Sequence, residues 1–323
     1  AERMSRFSSF FASLLFFHAL AFSTERNIIF FITDDQSPTL GCYGDSVAQT
    51  PAIDSLAKDG TLFLNAYATT ASCSASRSVV MSGLHNHANG QYGHQHAFHK
   101  FSSYFNVIGL SLPRALAKAG YRTGHMGKFH VSPEEVFQFQ TYMKGKQRNA
   151  VDMANISEDF ITELSDQPFF LYFAPSDPHR GGGIDMTSKN KLKPDLFGNK
   201  PNREEHEGVK EVFYDPKDVL IPSFLSDTPE TREELAHYYQ SVSRIDQGLA
   251  RLIEILKDAD LYEKTMIVFT SDHGMAFAGG KTTVYEGGLR VPFVVRNPYE
   301  KKRGVRHPAL ISHIAVSYTH LTL

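Results

Sequence analysis

Three stretches of this chain are apolar almost without interruption: residues 27–33 (NIIFFIT), 168–174 (PFFLYFA) and 265–270 (TMIVFT). A strand with one wet face alternates apolar and polar residues, whereas a strand buried on both faces does not. Double burial requires helices above and below a largely parallel sheet, and helical stretches do lie between the runs. Residues 50–57 carry a threonine cap and a proline in the first turn, and residues 112–120 end on glycine. Residues 232–257 repeat apolar positions at helical spacing over one long helix. Weaker strands are expected at 61–67, 121–126 and 291–296, and residues 181–213 read as an exposed loop or insertion. The expected class is α/β, with a large, mostly parallel sheet flanked by helices.

In such sheets functional residues gather beyond the carboxyl ends of the strands. The runs here stop at Asp34-Asp35, at Asp177-Pro178-His179-Arg180 and at Ser271-Asp272-His273-Gly274, and a weaker strand leads into Gly127-Lys128-Phe129-His130. Two adjacent carboxylates at a buried strand end repel one another unless cations or hydrogen bonds compensate them. Asp34, Asp35 and Asp272 offer hard oxygen ligands suited to Ca²⁺ or Mg²⁺. Arg77, Lys128 and Lys281 can neutralise a tetrahedral oxyanion, and His130 and His179 can move protons or orient a nucleophile. Lys128 and His130, two apart on an extended segment, should point to one side. The set suits metal-assisted transfer of a sulfuryl or phosphoryl group.

Cys73 stands at the expected start of a short helix closed by Gly83, with Arg77 one turn on. A thiol there is a candidate nucleophile, since free backbone N–H groups and the helix dipole favour an anion. Its alternatives are a small buried hydrophobe or a Cys42–Cys73 bridge. The segment holding His85, His87, His94, His96 and His99 matches no zinc spacing and reads as a polar, substrate-facing loop.

A formal net charge of −2 leaves no electrostatic footprint for nucleic acid and no polybasic membrane patch. Arg3 and Arg6 precede the apolar residues 10–17, and Ala19-Leu20-Ala21 supplies small residues for cleavage. Residues 1–23 therefore read as a signal peptide rather than a membrane anchor. Asn155-Ile156-Ser157 is an N-glycosylation sequon, expected on a luminal surface loop.

Asp34-Asp35, Cys73-x-x-Ser76-Arg77, Gly127-Lys128-x-His130, Asp177-Pro178-His179 and Ser271-Asp272-His273-Gly274 follow one another in an order that resembles the sulfatase family, of alkaline-phosphatase-like fold. Residues 87–93, 177–180 and 214–222 add similarity to the branch that removes N-linked sulfate from heparan sulfate. The resemblance implies that Cys73 matures to Cα-formylglycine, whose hydrate attacks sulfur. It implies Ca²⁺ held by Asp34, Asp35, Asp272 and residue 73, with His273 beside them. Arg77 would orient the hydrate with His130 bonded to it. Lys128, His179 and Lys281 would bind the sulfate, and His179 would protonate the departing amine.

The implied partners are a sulfated glycosaminoglycan and the formylglycine-generating enzyme; the implied compartment is the lysosomal lumen, and a homodimer is compatible with it. Other readings are an O-sulfatase, a phosphodiesterase or phosphonate hydrolase of the same fold, and an inactive glycan-binding relative. Three positions depart from the pattern. Ala75 stands where most members have proline, His273 replaces the asparagine of that branch, and the family's C-terminal subdomain is cut short. The catalytic domain is expected over 24–315, incomplete at its end, with 316–323 a foreign tail.

Overall fold

The computed structural model describes residues 26–95, 100–181, 197–199 and 206–316. The expected signal peptide, His96 and His99, much of the 181–213 insertion and residues 317–323 lie outside them. Val316, placed in the expected tail, is buried in the core.

Among the described residues nine strands form one sheet: β1 (Asn27–Thr33), β2 (Thr61–Tyr67), β3 (Arg122–Gly127), β4 (Thr141–Met143), β5 (Phe169–Ala174), β6 (Thr265–Ser271), β7 (Arg290–Val291), β8 (Phe293–Arg296) and β9 (Val305–Ser312). Their order is β4-β3-β5-β1-β6-β8-β2-β7, with β9 also paired to β2. The three apolar runs sit side by side at its centre, β1 lying parallel between β5 and β6. The expected strand at 291–296 is split, because Pro292 has no N–H for the ladder. Its β8 half runs antiparallel to β6 and β2.

The helices are α1 (Pro51–Lys58), α2 (Cys73–Ser82), α3 (Asn86–Asn89), α4 (Leu112–Lys118), α5 (Ala150–Thr162), α6 (Pro229–Asp258) and α7 (Glu286–Leu289). Strand residues alternate between two apolar layers. Ile29, Phe31, Leu171, Phe173, Ile267 and Phe269 pack with α1, α5 and α6. Ile28, Phe30, Phe170, Tyr172, Met266 and Val268 pack with residues of α2 and α4. The continuous apolar runs are thus two period-2 patterns superimposed, one for each layer.

Two expectations fail here. Asn155 is exposed but lies on α5, not on a loop, and its side chain accepts a hydrogen bond from Arg251 Nε at 2.7 Å. The Cys42–Cys73 bridge does not form; both thiols are free. Cys42 packs beside Asp54, and burial together with that carboxylate pushes its thiol up to about 12.

Candidate active site

The register of the central strands assembles the site. Thr33 on β1 pairs with Ser271 on β6, so Asp34-Asp35 and Asp272 emerge side by side. Cross-links lock them: Asp272 N–H donates to the Thr33 carbonyl at 3.1 Å, and Asp35 N–H donates to Asp272 Oδ1 at 2.9 Å. Asp35 holds φ at 66°, a left-handed conformation uncommon outside glycine, which turns the chain sharply off the sheet. From the neighbouring β5, the Asp177 carbonyl accepts the Asp34 N–H at 3.1 Å. At the end of β3, Gly127 has φ 97°, and a Cβ there would run into the Ala174 carbonyl. This turn delivers Lys128, whose N–H donates to the same carbonyl at 2.7 Å. Lys128 and His130 therefore share a cavity because of left-handed turns at residues 127 and 130, not because an extended strand carries them.

Opposite these strand ends, Cys73 is the first residue of α2 and is buried. Its Sγ lies 3.3 Å from His273 Nε2, 3.3 Å from Lys281 Nζ and 3.6 Å from Asp35 Oδ1. Burial, reinforced by the Asp34 charge and opposed by Lys128, pushes the thiol well above its usual range. The carboxylates thus cancel the thiolate-favouring effect of the helix N-terminus.

Arg77, one turn along, is wholly buried. It donates from Nε to Asp272 Oδ2 at 3.1 Å and from Nη2 to Asp34 Oδ1 at 3.3 Å. It braces the acidic cluster, a part beyond the oxyanion neutralisation that the sequence suggested for it. Lys128 Nζ reaches Asp34 Oδ2 at 2.5 Å, and Lys281 Nζ reaches Asp35 Oδ2 at 2.8 Å. Burial works to raise the Asp34 carboxyl, yet Lys128 and Arg77 hold it well below the carboxylate range. Asp272 is raised by burial and by Asp34, against the pull of His273 and Arg77.

The donor set fits a hard cation. One ligand atom from each of Asp35, Cys73, Asp272 and His273 falls in a group within 4.8 Å of one another, and Asp34 and Asp35 form another such group with Cys73 and His179. His273 lies at the edge of the group, with Nδ1 3.0 Å from the Gly274 carbonyl and Nε2 3.1 Å from Asp35 Oδ1. The charges of Asp34 and Asp35 oppose ionisation of Asp272, and a cation among the three carboxylates relieves that repulsion.

The cluster opens into a cavity of about 760 Å³ whose lining includes Asp34, Gln95, Lys128, His130 and His179 together with Lys146, Arg148 and Ser176. His179 Nε2 stands 3.8 Å from Asp35 Oδ2; burial lowers the ring's pKa, with Asp34 and Asp35 opposing. Burial, with Lys128 and Arg77 alongside, lowers His130 to about 3. His130 stacks on His94 at 5.5 Å, and both belong to a group with Cys73. Of the histidine-rich segment, only His94 among the described residues is placed here. His85 and His87 are exposed and stack on each other at 5.6 Å.

Residues that sequence reasoning missed complete the support. Arg244 on α6 is buried and reaches Asp177 Oδ2 at 2.7 Å, while Arg148 Nη1 reaches Asp177 Oδ1 at 3.0 Å. They fix the segment that carries His179. An arginine among the apolar positions of a long helix was their one signal.

A model described as "Sulfatase" matches residues 26–323. The chain belongs to the sulfatase family. It is 36% identical over 304 residues to the N-sulphoglucosamine sulphohydrolase of Homo sapiens, covering 90% of this chain and 59% of that one. It is 30% identical to an ulvan-active sulfatase of Formosa agariphila, covering 94% and 55%. The chain thus spans less than two thirds of the length of these relatives. Among solved structures, one described as a complex with its substrate D-glucosamine-2-N,6-O-disulfate superposes with a TM-score of 0.65 at 22% identity, over 91% of this chain and 75% of that one. The phosphonate monoester hydrolase of Agrobacterium radiobacter superposes at 0.63 with 18% identity, over 90% and 72%. At such identities these likenesses show the alkaline-phosphatase-like fold alone, as the sequence led us to expect.

Proposed function

We propose that this sulfatase is a sulfohydrolase of the lysosomal lumen. It would remove N-linked sulfate from N-sulfoglucosamine at the non-reducing end of heparan sulfate. The observation that carries the reading is the placement of Cys73. It heads α2 against Asp35, His273 and Lys281, with Asp34, Asp272 and Arg77 behind. The 36% identity to a relative named for N-sulphoglucosamine supports the choice of substrate.

Asp34, Asp35 and Asp272, with the substituent on residue 73, would hold Ca²⁺, whose charge polarises a sulfate oxygen and favours attack at sulfur. Matured to formylglycine, residue 73 would supply a hydroxyl nucleophile and, on the same carbon, a second hydroxyl through which sulfate leaves. The remaining chemistry belongs to the side chains in place. Arg77 keeps Asp34 and Asp272 ionised and fixed in direction. Lys281, bonded to Asp35 and touching residue 73, meets the sulfate where attack occurs. Lys128 approaches from the cavity side, over Asp34. His179, beside Asp35 on the cavity wall, gives a proton to the departing amine, because an amine nitrogen leaves poorly as an anion.

Peptide mass spectrometry on residue 73, after expression in a eukaryotic secretory host, tests the nucleophile. Aldehyde in place of thiol is expected despite Ala75. Unmodified cysteine, from a host whose maturation activity is verified on a control protein, would sink it. Turnover of N-sulfoglucosamine against an O-sulfated sugar and a phosphate ester tests the substrate. Preference for the O-sulfate would favour the O-sulfatase reading, which the ulvan-active relative supports.

A further inference from the structure

We propose that Lys146 and Arg148 form a second anion-binding subsite in the wall of the active-site cavity. It would take a second negative group of the substrate, either the carboxylate of a neighbouring uronic acid or an additional sulfate. The inference rests on the glycan reading above and extends it to specificity.

The cavity, about 760 Å³, falls in the upper part of the range of roughly 300–1,000 Å³ usual for small-ligand sites, so it has room beyond one sulfate group. Its one carboxylate among the described residues is Asp34, already bonded to Arg77 and Lys128. The other charged side chains lining it are Lys128, Lys146 and Arg148. A single sulfate held by Lys128 and Lys281 would leave Lys146 and Arg148 with no charge on the ligand to meet them.

Arg148 is built into position. Its Nη1 donates to Asp177 Oδ1 at 3.0 Å and to the His179 carbonyl at 3.2 Å. Gly181 and Gly198 make room for it, since a Cβ at either would strike the guanidinium or its stem. Nor is Arg148 needed to neutralise Asp177, because the buried Arg244 already pairs with the other carboxylate oxygen at 2.7 Å. Among the described residues nothing accepts a hydrogen bond from Arg148 Nη2 or from Lys146 Nζ, and the Arg148 side chain remains 28% exposed. A preset guanidinium and an exposed ammonium lining one cavity can together take a carboxylate or sulfate.

The test compares kcat/KM of the full chain and its Lys146→Gln and Arg148→Lys variants on four substrates. These are N-sulfoglucosamine, the same sugar linked to a uronic acid, that disaccharide with its carboxyl reduced to an alcohol, and 6-O-sulfated N-sulfoglucosamine. The wild-type chain should prefer a doubly charged substrate to the singly charged sugar, and Lys146→Gln should cut that ratio about tenfold. Loss of the preference on carboxyl reduction assigns the subsite to the uronic acid; a preference confined to the 6-O-sulfate assigns it to the added sulfate. A ratio unmoved by both substitutions overturns the proposal. If the wild type cleaves an aryl sulfate but no N-sulfated sugar, the N-sulfate reading fails separately. The subsite is then read from inhibition of aryl-sulfate turnover by an unsulfated uronate disaccharide. A weaker inhibition constant in Lys146→Gln supports it, and an unchanged one overturns it.

Discussion

Single residues here divide between making charge and managing it. Asp34, Asp35 and Asp272 would be untenable together at the end of a buried strand without Arg77, Lys128 and Lys281, each cation in contact with at least one of them. That balance was legible in the chain, because each member follows an apolar run or sits in a short polar motif. Arg77 was legible as a participant but not as a brace. Its role depends on the register that brings β1 and β6 together, which spacing alone does not give. His179 differs in kind: it is partly exposed, lines the cavity, and is bonded to no carboxylate more closely than 3.8 Å. A proton donor matters in proportion to how badly the leaving group needs one. His179→Gln should therefore lower kcat on N-sulfoglucosamine by about 10²–10⁴-fold. An aryl sulfate, whose phenolate leaves unaided, should lose far less. Equal losses on both substrates would assign His179 to sulfate binding instead.

At the scale of elements, α6 is the part that sequence periodicity found and undervalued. Its apolar repeat gave the helix, extended in the structure to Pro229–Asp258. Two charged residues inside the repeat, Arg244 and Asp246, are both buried and both at work on other elements. Asp246 accepts the N–H groups of Ala52 at 3.1 Å and Ile53 at 2.8 Å, capping α1 from outside, where Thr50 offers no cap bond of its own. Arg244 ties Asp177, and with it the His179 segment, to the helix. Asp246→Ala should cost about 1 kcal/mol in urea unfolding, the usual loss of a cap. Arg244→Gln strands Asp177 in a buried place and should cost roughly 3–5 kcal/mol, with kcat falling as His179 loses its support. Comparable small losses for both would mean that Arg148 alone suffices for Asp177. Besides the one-turn helices α3 and α7, the elements missed from sequence were α5, β4 and β9. Each has an ambiguous pattern: β4 is three residues long, β9 carries Pro308 and many exposed positions, and α5 interleaves Asp, Asn, Ser and Glu with its apolar face. The central strands were plain because burial on two faces leaves no polar position to blur them.

For the molecule as a whole, the sheet's second layer holds a liability that acid exposes. His125 on β3 is buried among Phe129, Phe139, Tyr142 and Tyr172, with ring centroids 5.2 to 5.7 Å away, and among the described residues its Nε2 has no hydrogen-bond partner. Burial lowers its pKa to about 4. His313 is buried against Ser76 and Thr270 and is lowered to about 3 by burial and the nearby His273. Both rings stay neutral in the folded chain, whereas an unfolded histidine takes up a proton near pH 6.5. Between these values the unfolded state binds more protons, so stability is complete above about pH 6.5 and declines as pH falls toward 4. For His125 alone the loss comes to roughly 3 kcal/mol by pH 4, at about 1.4 kcal/mol for each unit of the window. The carboxylates act in both directions: Asp246, raised by burial to about 7, and Asp272, raised by burial, hold protons in the folded chain and offset part of the loss. Asp34, depressed by its cations, contributes stability that disappears only below the ordinary carboxylate range, so it steepens the acid limb further down. A protein working in an acidic lumen would carry this cost throughout its life, and a cation held at the strand ends, as proposed above, would help to hold the sheet together. Urea unfolding of the full chain from pH 7 to 4.5 should show a net proton uptake to which His125 and His313 contribute about one proton each. His125→Phe, which suits an aromatic surround, should reduce the uptake by about one proton and flatten the decline. An unchanged uptake in that variant would place the acid sensitivity elsewhere in the fold.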